Sequence, residues 1–470
     1  MTKLLHMLLL TATTLVCCAS LALASNGMEN IATNVRTMGA GGAYLAVEPS
    51  AVAMSGNPAA LAFLKSGELY FDVRLFEPVL NYTGLMNATG KREHFAAPNL
   101  AYGAPLDDRW AWGLGVVTQA SMGYAYKDFD LSLVGAPPGT RDSAGAKFRF
   151  LTVTPAVAYK LSPRTSVGVA YNWSSGATDE QSYDIFGATV GHSLSNLGGK
   201  GQSVRVGLYH QASCDTTWGA YWRSRSHLEV DGGRLTFGPF NPAAGTVVDG
   251  VSVIGGDFPE QYGLGVSHRF DPRWTGLLEW RHLKWAKVKQ NVRVQPPVGD
   301  PIIFPMNWDD QDVLIAGAEY RPDCSEDTVW RFGTNYAASP VPDNTLSPMF
   351  PAITQLHFTA GYERALSDEL RLVSAVAYGV PNEQTTTADN PLNGQFGGGQ
   401  PYSVSVGSWD FGLGLVWKIG DRGEECDEDV APCDECAEDA QAEPADSEMC
   451  DEAPVTDDPA NAAKDELRTN

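Results

Sequence analysis

Trp110-Ala111-Trp112-Gly113-Leu114-Gly115-Val116-Val117 alternates large apolar side chains with small ones. Strand side chains point to opposite faces with period two, so Trp110, Trp112, Leu114 and Val116 form one broad apolar face and Ala111, Gly113 and Gly115 a slender one. The same pattern returns near the end of the chain, where Trp409, Phe411, Leu413, Leu415 and Trp417 alternate with Asp410, Gly412, Gly414 and Lys418. An aromatic face opposite a small or polar face suits a strand with lipid on one side and a lumen on the other.

Outward from these strands, tight polar turns recur at Pro105 to Arg109, Ser162 to Thr165, Ser213 to Thr217, Asp271 to Arg273, Pro322 to Thr328 and Leu366 to Glu369. They are rich in the Pro, Asp and Ser that punctuate hairpins. At the opposite strand ends the connections are long, about 10 to 30 residues, as at Tyr126 to Lys147, Gly176 to Gly201, Asp231 to Glu260 and Asn291 to Gln311. Short turns on one side and long loops on the other predict an all-β, transmembrane antiparallel β-barrel with its turns in the periplasm. About 14 strands are expected, starting near residues 67, 92, 109, 147, 165, 201, 216, 260, 273, 311, 328, 353, 369 and 403. A soluble β-sandwich also alternates, but it buries its apolar face. The aromatic pairs near strand ends, Trp110 with Trp112 and Trp218 with Trp222, favour a membrane interface.

One continuous apolar run, Leu4 to Val16, follows Lys3 and precedes Ala22-Leu23-Ala24, so residues 1–24 are expected to be a cleaved secretory signal. At the other end, residues 421–470 carry 19 Asp or Glu against 3 Lys or Arg, a net of −16 within a whole-chain charge of −23. The acid therefore lies in the tail, which is too poor in apolar residues to fold alone and is expected to be disordered and periplasmic. It leaves open a divalent cation or a periplasmic partner, against the ordinary reading of a solvated segment; no nucleic-acid partner is expected. Cys426, Cys433, Cys436 and Cys450 sit in this tail, and Cys214 and Cys324 in turns on the same side. Disulfides are favoured over a zinc site in an oxidising compartment, with the pairing open; no metal or cofactor is expected.

Residues 25–66, between the signal and the barrel (67–420), read as neither strand nor tail: Thr37-Met38-Gly39-Ala40-Gly41-Gly42-Ala43-Tyr44, then Ser55-Gly56-Asn57-Pro58-Ala59-Ala60-Leu61. Small residues at this density let short helices pack in a confined space. Gly39, Gly41, Asn57, Pro58 and Ala59 resemble the N-terminal hatch of the FadL/TodX-type outer-membrane transporters of long-chain fatty acids and other hydrophobic compounds. Phe258-Pro259-Glu260, Asp271-Pro272-Arg273-Trp274 and Ser339-Pro340-Val341-Pro342 resemble further stretches of that family in the same order.

The resemblance implies an outer-membrane protein, inserted by the barrel assembly machinery, that captures a hydrophobic small molecule in its loops. The ligand then passes a movable hatch and leaves sideways into membrane lipid through a gap at a kink in the third strand, here Ser121, Met122 and Gly123. Capture residues are expected among Phe237, Phe240, Val253, Ile254 and Phe258. Arg74, Arg205, Arg223, Arg225, Arg281 and Arg331 with Asp72, Glu279, Glu319 and Glu363 place both signs on the lumen face, a set that suits locking a plug rather than selecting ions. Two other classes stand beside this: a general diffusion porin, or a structural barrel tethering a partner through its tail. An enzyme is not expected, because the histidines from His94 to His357 are scattered with no serine motif beside them.

Overall fold

The computed structural model describes residues 26–420 except 86, 91–93, 131–137, 140, 179–181, 186–190, 196, 238–244, 323–326 and 349. The expected signal, the acidic tail with its four cysteines, Cys324 and Phe240 therefore lie outside the described residues. Fourteen antiparallel strands make the wall: β1 (Gly67–Thr83), β2 (Phe95–Pro105), β3 (Trp110–Asp130), β4 (Arg141–Ser162), β5 (Thr165–Thr178), β6 (Leu197–Gln211) and β7 (Thr216–Arg223), then β8 (Gln261–Arg269), β9 (Trp274–Leu283), β10 (Gln311–Tyr320), β11 (Thr328–Ala337), β12 (Leu356–Ala365), β13 (Leu370–Thr385) and β14 (Ser403–Ile419). Each pairs with the next, and β14 pairs with β1 from Gly67–Ile419 to Thr83–Ser403. The sheet is closed, leaving no edge to satisfy in lipid.

Most strands start within three residues of the expected positions. β4 and β6 begin earlier, at Arg141 and Leu197 rather than near 147 and 201, because both ladders run on into the long connections. There β4 still pairs with β3 as far as Asp130–Arg141. Hydrogen bonding continues where apolar alternation, the sequence signal, has stopped. The connections also add short strands, among them His227–Phe237, Val247–Ile254, Asn291–Gln295 and Ile302–Pro305, which pair beyond the wall.

The outer face is what distinguishes a barrel from a sandwich. Leu278 is 62% exposed and Trp218 52%, and Leu114, Val157, Trp173, Leu264, Leu314, Phe358 and Leu413 are exposed with them. So much uncovered apolar surface requires lipid. Rings gather at the two rims: Trp110 on Tyr159, Trp274 on Tyr320 and Trp330 on Tyr362 near the short turns, Tyr378 on Trp409 near the long connections. The turns are held by the residues that marked them in sequence. Asp107 Oδ1 accepts from the backbone N–H of Arg109 and Trp110, and Asp271 Oδ1 does the same for Arg273 and Trp274.

Candidate ligand passage

The slender inner face makes room for the chain's own N-terminal segment. A Cβ at Gly333 would collide with the backbone of Gly41, one at Gly219 with the carbonyl of Leu45, one at Gly168 with Pro58, and one at Gly412 with Val35. These glycines lie on β11, β7, β5 and β14, so residues 35–58 touch the wall on several sides from within. The segment contains one short helix, α1 (Val35–Gly39), capped by Asn34 Oδ1 accepting from Thr37 N at 3.0 Å. After it, Gly41 and Gly42 take φ of +74° and +90°, a left-handed turn that a side chain would strain. Asn57 donates to the carbonyls of Leu45 (2.8 Å) and Leu208 (2.9 Å), joining one loop of the segment to another and to β6. Pro58 and Ala59 begin the 3₁₀ turn Pro58–Phe63, and Ala59 accepts at its carbonyl from Ser166 Oγ (2.7 Å).

Inward charges hold this segment. Glu363 receives Arg36 Nε (3.0 Å) and Nη2 (2.7 Å) from the segment, and Arg331 (2.7 Å) and Arg371 (2.6 Å) from the wall. Burial alone would depress the Arg36 guanidinium, but Glu363 beside it raises its pKa well above the usual value. Glu279 accepts from the backbone N–H of Tyr44 (2.8 Å) and Leu45 (2.9 Å) and pairs with Arg281. Arg74 pairs with Asp410 (2.8 Å) and donates to the Ala32 carbonyl (2.6 Å), while Asp72 accepts from Val35 N (2.7 Å). Arg223 pairs with Glu29. Arg225 departs from the expected lumen set: it lies past the end of β7, its side chain 45% exposed, paired with Asp257. β7 ends at Arg223, so strand parity no longer aims Arg225 inward.

The wall is discontinuous beside this segment. β2 and β3 pair only from Pro105–Ala111 to Leu100–Val116, while β3 continues against β4. Past that point side chains stand in for the ladder: Thr118 N donates to Asn99 Oδ1 (2.8 Å) and Thr118 Oγ1 to the carbonyl of Pro98 (2.8 Å). The β3–β4 register slips between Thr118 and Ala120, so Gln119 is the bulged residue. Ser121, Met122 and Gly123, the expected kink, instead pair in register with Arg149, Phe148 and Lys147. A bulge needs one extra residue, not a glycine, and the sequence offered no mark of it. The N-terminal segment reaches this break from inside: Asn30 Nδ2 donates to the Thr118 carbonyl (3.4 Å), and Asn99 Nδ2 to the Thr33 carbonyl (3.3 Å). A small cavity remains there, lined among others by Asn30, Thr118, Gln119 and Arg205.

Toward the long connections the interior becomes apolar. Tyr82, Tyr126, Phe150, Phe258, Trp285, Trp308 and Tyr402 are buried in one cluster that extends down to Met28 and Ala40 of the N-terminal segment. Phe150 meets Phe258 edge to face at 5.8 Å, and Trp285 meets Trp308 at 5.3 Å. Of the expected capture residues, Phe258 belongs to this cluster, Val253 packs half-buried against it, and Ile254 is exposed. Phe237 ends the strand His227–Phe237. Trp285, Trp308 and Tyr402 escaped sequence reading, although both tryptophans sit inside one long connection, where an aromatic pair has little reason to be unless buried. Lys289, in the same connection, is also buried. Desolvation pushes its ammonium down to about 7, against the opposing pull of Asp257, and it donates to the Gly255 carbonyl (2.6 Å). Cys214, in the turn before β7, is disulfide-bonded, and every other cysteine lies outside the described residues.

Residues 13–417 match the family described as outer membrane protein transport protein (OMPP1/FadL/TodX). A long-chain fatty acid transport protein of Escherichia coli O6:H1 is 21% identical over 381 residues, 71% of this chain and 82% of that protein. The toluene transporter TodX of Pseudomonas putida superposes with a TM-score of 0.70 at 18% identity, covering 84% of this chain and 100% of that one. A FadL homologue from Pseudomonas aeruginosa superposes with a TM-score of 0.66 at 16% identity, with 84% and 100% covered. Its closed fourteen-stranded wall is the fold of these structures, and the chain belongs to the OMPP1/FadL/TodX family of outer-membrane transporters of hydrophobic compounds.

Proposed function

We propose that this transporter takes up long-chain fatty acids or other hydrophobic compounds passively, by a lateral route. The ligand is captured at the long connections, held in the aromatic cluster around Phe258 and Trp308, and released sideways between β2 and β3 when residues 25–66 shift as a hatch. Residues 67–420 serve as the barrel, residues 1–24 as a signal, and residues 421–470 as a periplasmic tail. The observation that carries the reading is the break beside Thr118, closed from within by Asn30 and Thr33 of the N-terminal segment. An apolar solute gains nothing from a water-filled pore, whereas a dry cluster followed by exit into lipid keeps it from water throughout.

Deleting Gln119 tests the route. Removing the bulged residue restores the inside–outside alternation on both sides of it and lets β3 run regularly past β2. Vesicles carrying the intact protein should take up labelled long-chain fatty acid or toluene several-fold faster than vesicles carrying the deletion. Equal rates reject lateral exit. Free passage of a water-soluble sugar through the intact protein rejects the transporter mechanism in favour of a porin.

A further inference from the structure

Where the outer face of the wall meets the long connections, basic groups stand beside carboxylates: Lys284 with Glu260 at 2.8 Å, His282 with Asp312 at 2.9 Å and His94 with Glu77 at 3.4 Å. Strands β4 to β6 depart from this. Arg149 and Lys200 point outward there, in step with Leu151 and Val153 on β4 and with Val206 and Leu208 on β6, and both are exposed. Neither side chain forms a hydrogen bond or an ion pair among the described residues. Glu229 faces Lys200 from the strand His227–Phe237, on the side away from β5, without pairing with it.

The register brings the two cations together. Leu151 and Lys200 flank Ser175 of β5 on either side, two strand spacings or about 10 Å apart, and Arg149 is the next outward residue beyond Leu151 toward the long connections. Two long side chains can converge over that gap, and the exposed Ser175 hydroxyl between them is a third donor. Depth is set by β5. From Thr165 at the short turn to Trp173 it has nine residues, enough to cross the apolar core, and Trp173 is 56% exposed on the outer face. Trp173 therefore marks the far boundary of the hydrocarbon, and Arg149, Ser175 and Lys200 lie just past it, at the level of lipid head groups.

In a chain of net charge −23, two neighbouring cations without a carboxylate call for an anion from outside. Phosphate is the anion found at head-group level, and a guanidinium fork, an ammonium and a hydroxyl are the donors that suit its oxygens. We propose that Arg149, Ser175 and Lys200 form a docking site for the phosphate of an outer-leaflet lipid, whose acyl chains lie along the exposed Trp173, Val169 and Val206. The site is on the outside of the barrel, so it stands apart from the transport route.

The test measures, by native mass spectrometry of the full chain in nonionic micelles, binding of bisphosphorylated lipid A and of the same lipid stripped of its phosphates. The native protein should hold the phosphorylated lipid about tenfold more tightly, and the double variant Arg149→Gln/Lys200→Gln should lose that preference. Each single variant should lose part of it, which decides the matter if the double variant misfolds. Arg164→Gln/Lys418→Gln removes the same charge from exposed positions at the short turns and should keep the preference whole. Inorganic phosphate equimolar with the lipid should not displace it. Equal binding of the two lipids, a preference that survives in the double variant, or an equal loss in the short-turn variant overturns the site. Displacement by inorganic phosphate overturns the lipid as its occupant.

Discussion

Replacing Arg36 with Met should loosen the N-terminal segment without loosening the wall. Arg36 gives Glu363 two charge-assisted hydrogen bonds, at 3.0 and 2.7 Å, from positions almost wholly buried. Breaking a buried pair costs about 3–5 kcal/mol when the abandoned charge is left alone. Glu363 is not left alone, since Arg331 and Arg371 still reach it at 2.7 and 2.6 Å. Arg36 and Arg331 also repel each other within this cluster, in which Arg36, Arg321, Arg331 and Arg371 face Glu48, Glu319 and Glu363. Losing one cation relieves repulsion, so the cost falls to about 2–3 kcal/mol, a factor of roughly 30 to 150 in the population with the segment released. Amide hydrogen exchange on the full chain reads this directly. The amides of Gly41, Tyr44 and Leu45, bonded to Thr359 and Glu279, should exchange faster by that factor, and those of the β12–β13 ladder should not change. Unchanged exchange in the segment, or equal acceleration in the ladder, would refute the claim that this ion cluster anchors the segment independently of the wall.

Gly333→Val puts a side chain into the backbone of Ala40 and Gly41, an overpacking worth at least about 1–3 kcal/mol, and should unseat the segment. In planar bilayers its ionic conductance should exceed that of the native protein, and a variant as silent as the native one would show that the segment has other room. Lys289 gives a pH dependence whose sign is set by burial: its native pKa lies near 7, below the unfolded value, so the unfolded chain binds the extra proton between those limits and native stability rises with pH across them. Lys289→Met should be more stable than the native protein at pH 7. It should also lack about 1.4 kcal/mol per pH unit of slope between about pH 7 and 10 in urea unfolding, and an unchanged slope would mean that the amine is solvated.

Much of this architecture is legible in sequence because its two main signals are local. Alternation places Trp110, Leu114, Phe411 and Leu413 outward, and Asp107, Ser213 and Asp271 announce turns that their side chains then close. The inner face was legible as small but not as shaped: nothing near Gly333 or Gly219 says that a distant loop at Gly41 or Leu45 will lie against it. The break at Gln119 is of the same kind, a matter of how many residues face how many on the next strand, which composition does not record. Arg205 read as one lumen charge among ten. That it holds the Gly56 carbonyl and lies against two tyrosine rings, with no ion pair among the described residues, shows only once the other charges have been placed in space.

The joint between the wall's first and last strands is its longest ladder without a slip, engaging all 17 residues of β1, and one strand pair separates it from the pair that is left unzipped. Both sides of the weak place are moored, β2 to β1 and β3 to β4. On the proposed lateral route a guest would pass beyond the pairs from Pro105–Ala111 to Leu100–Val116, which keep the circumference tied, so that letting cargo out and remaining a barrel would not compete.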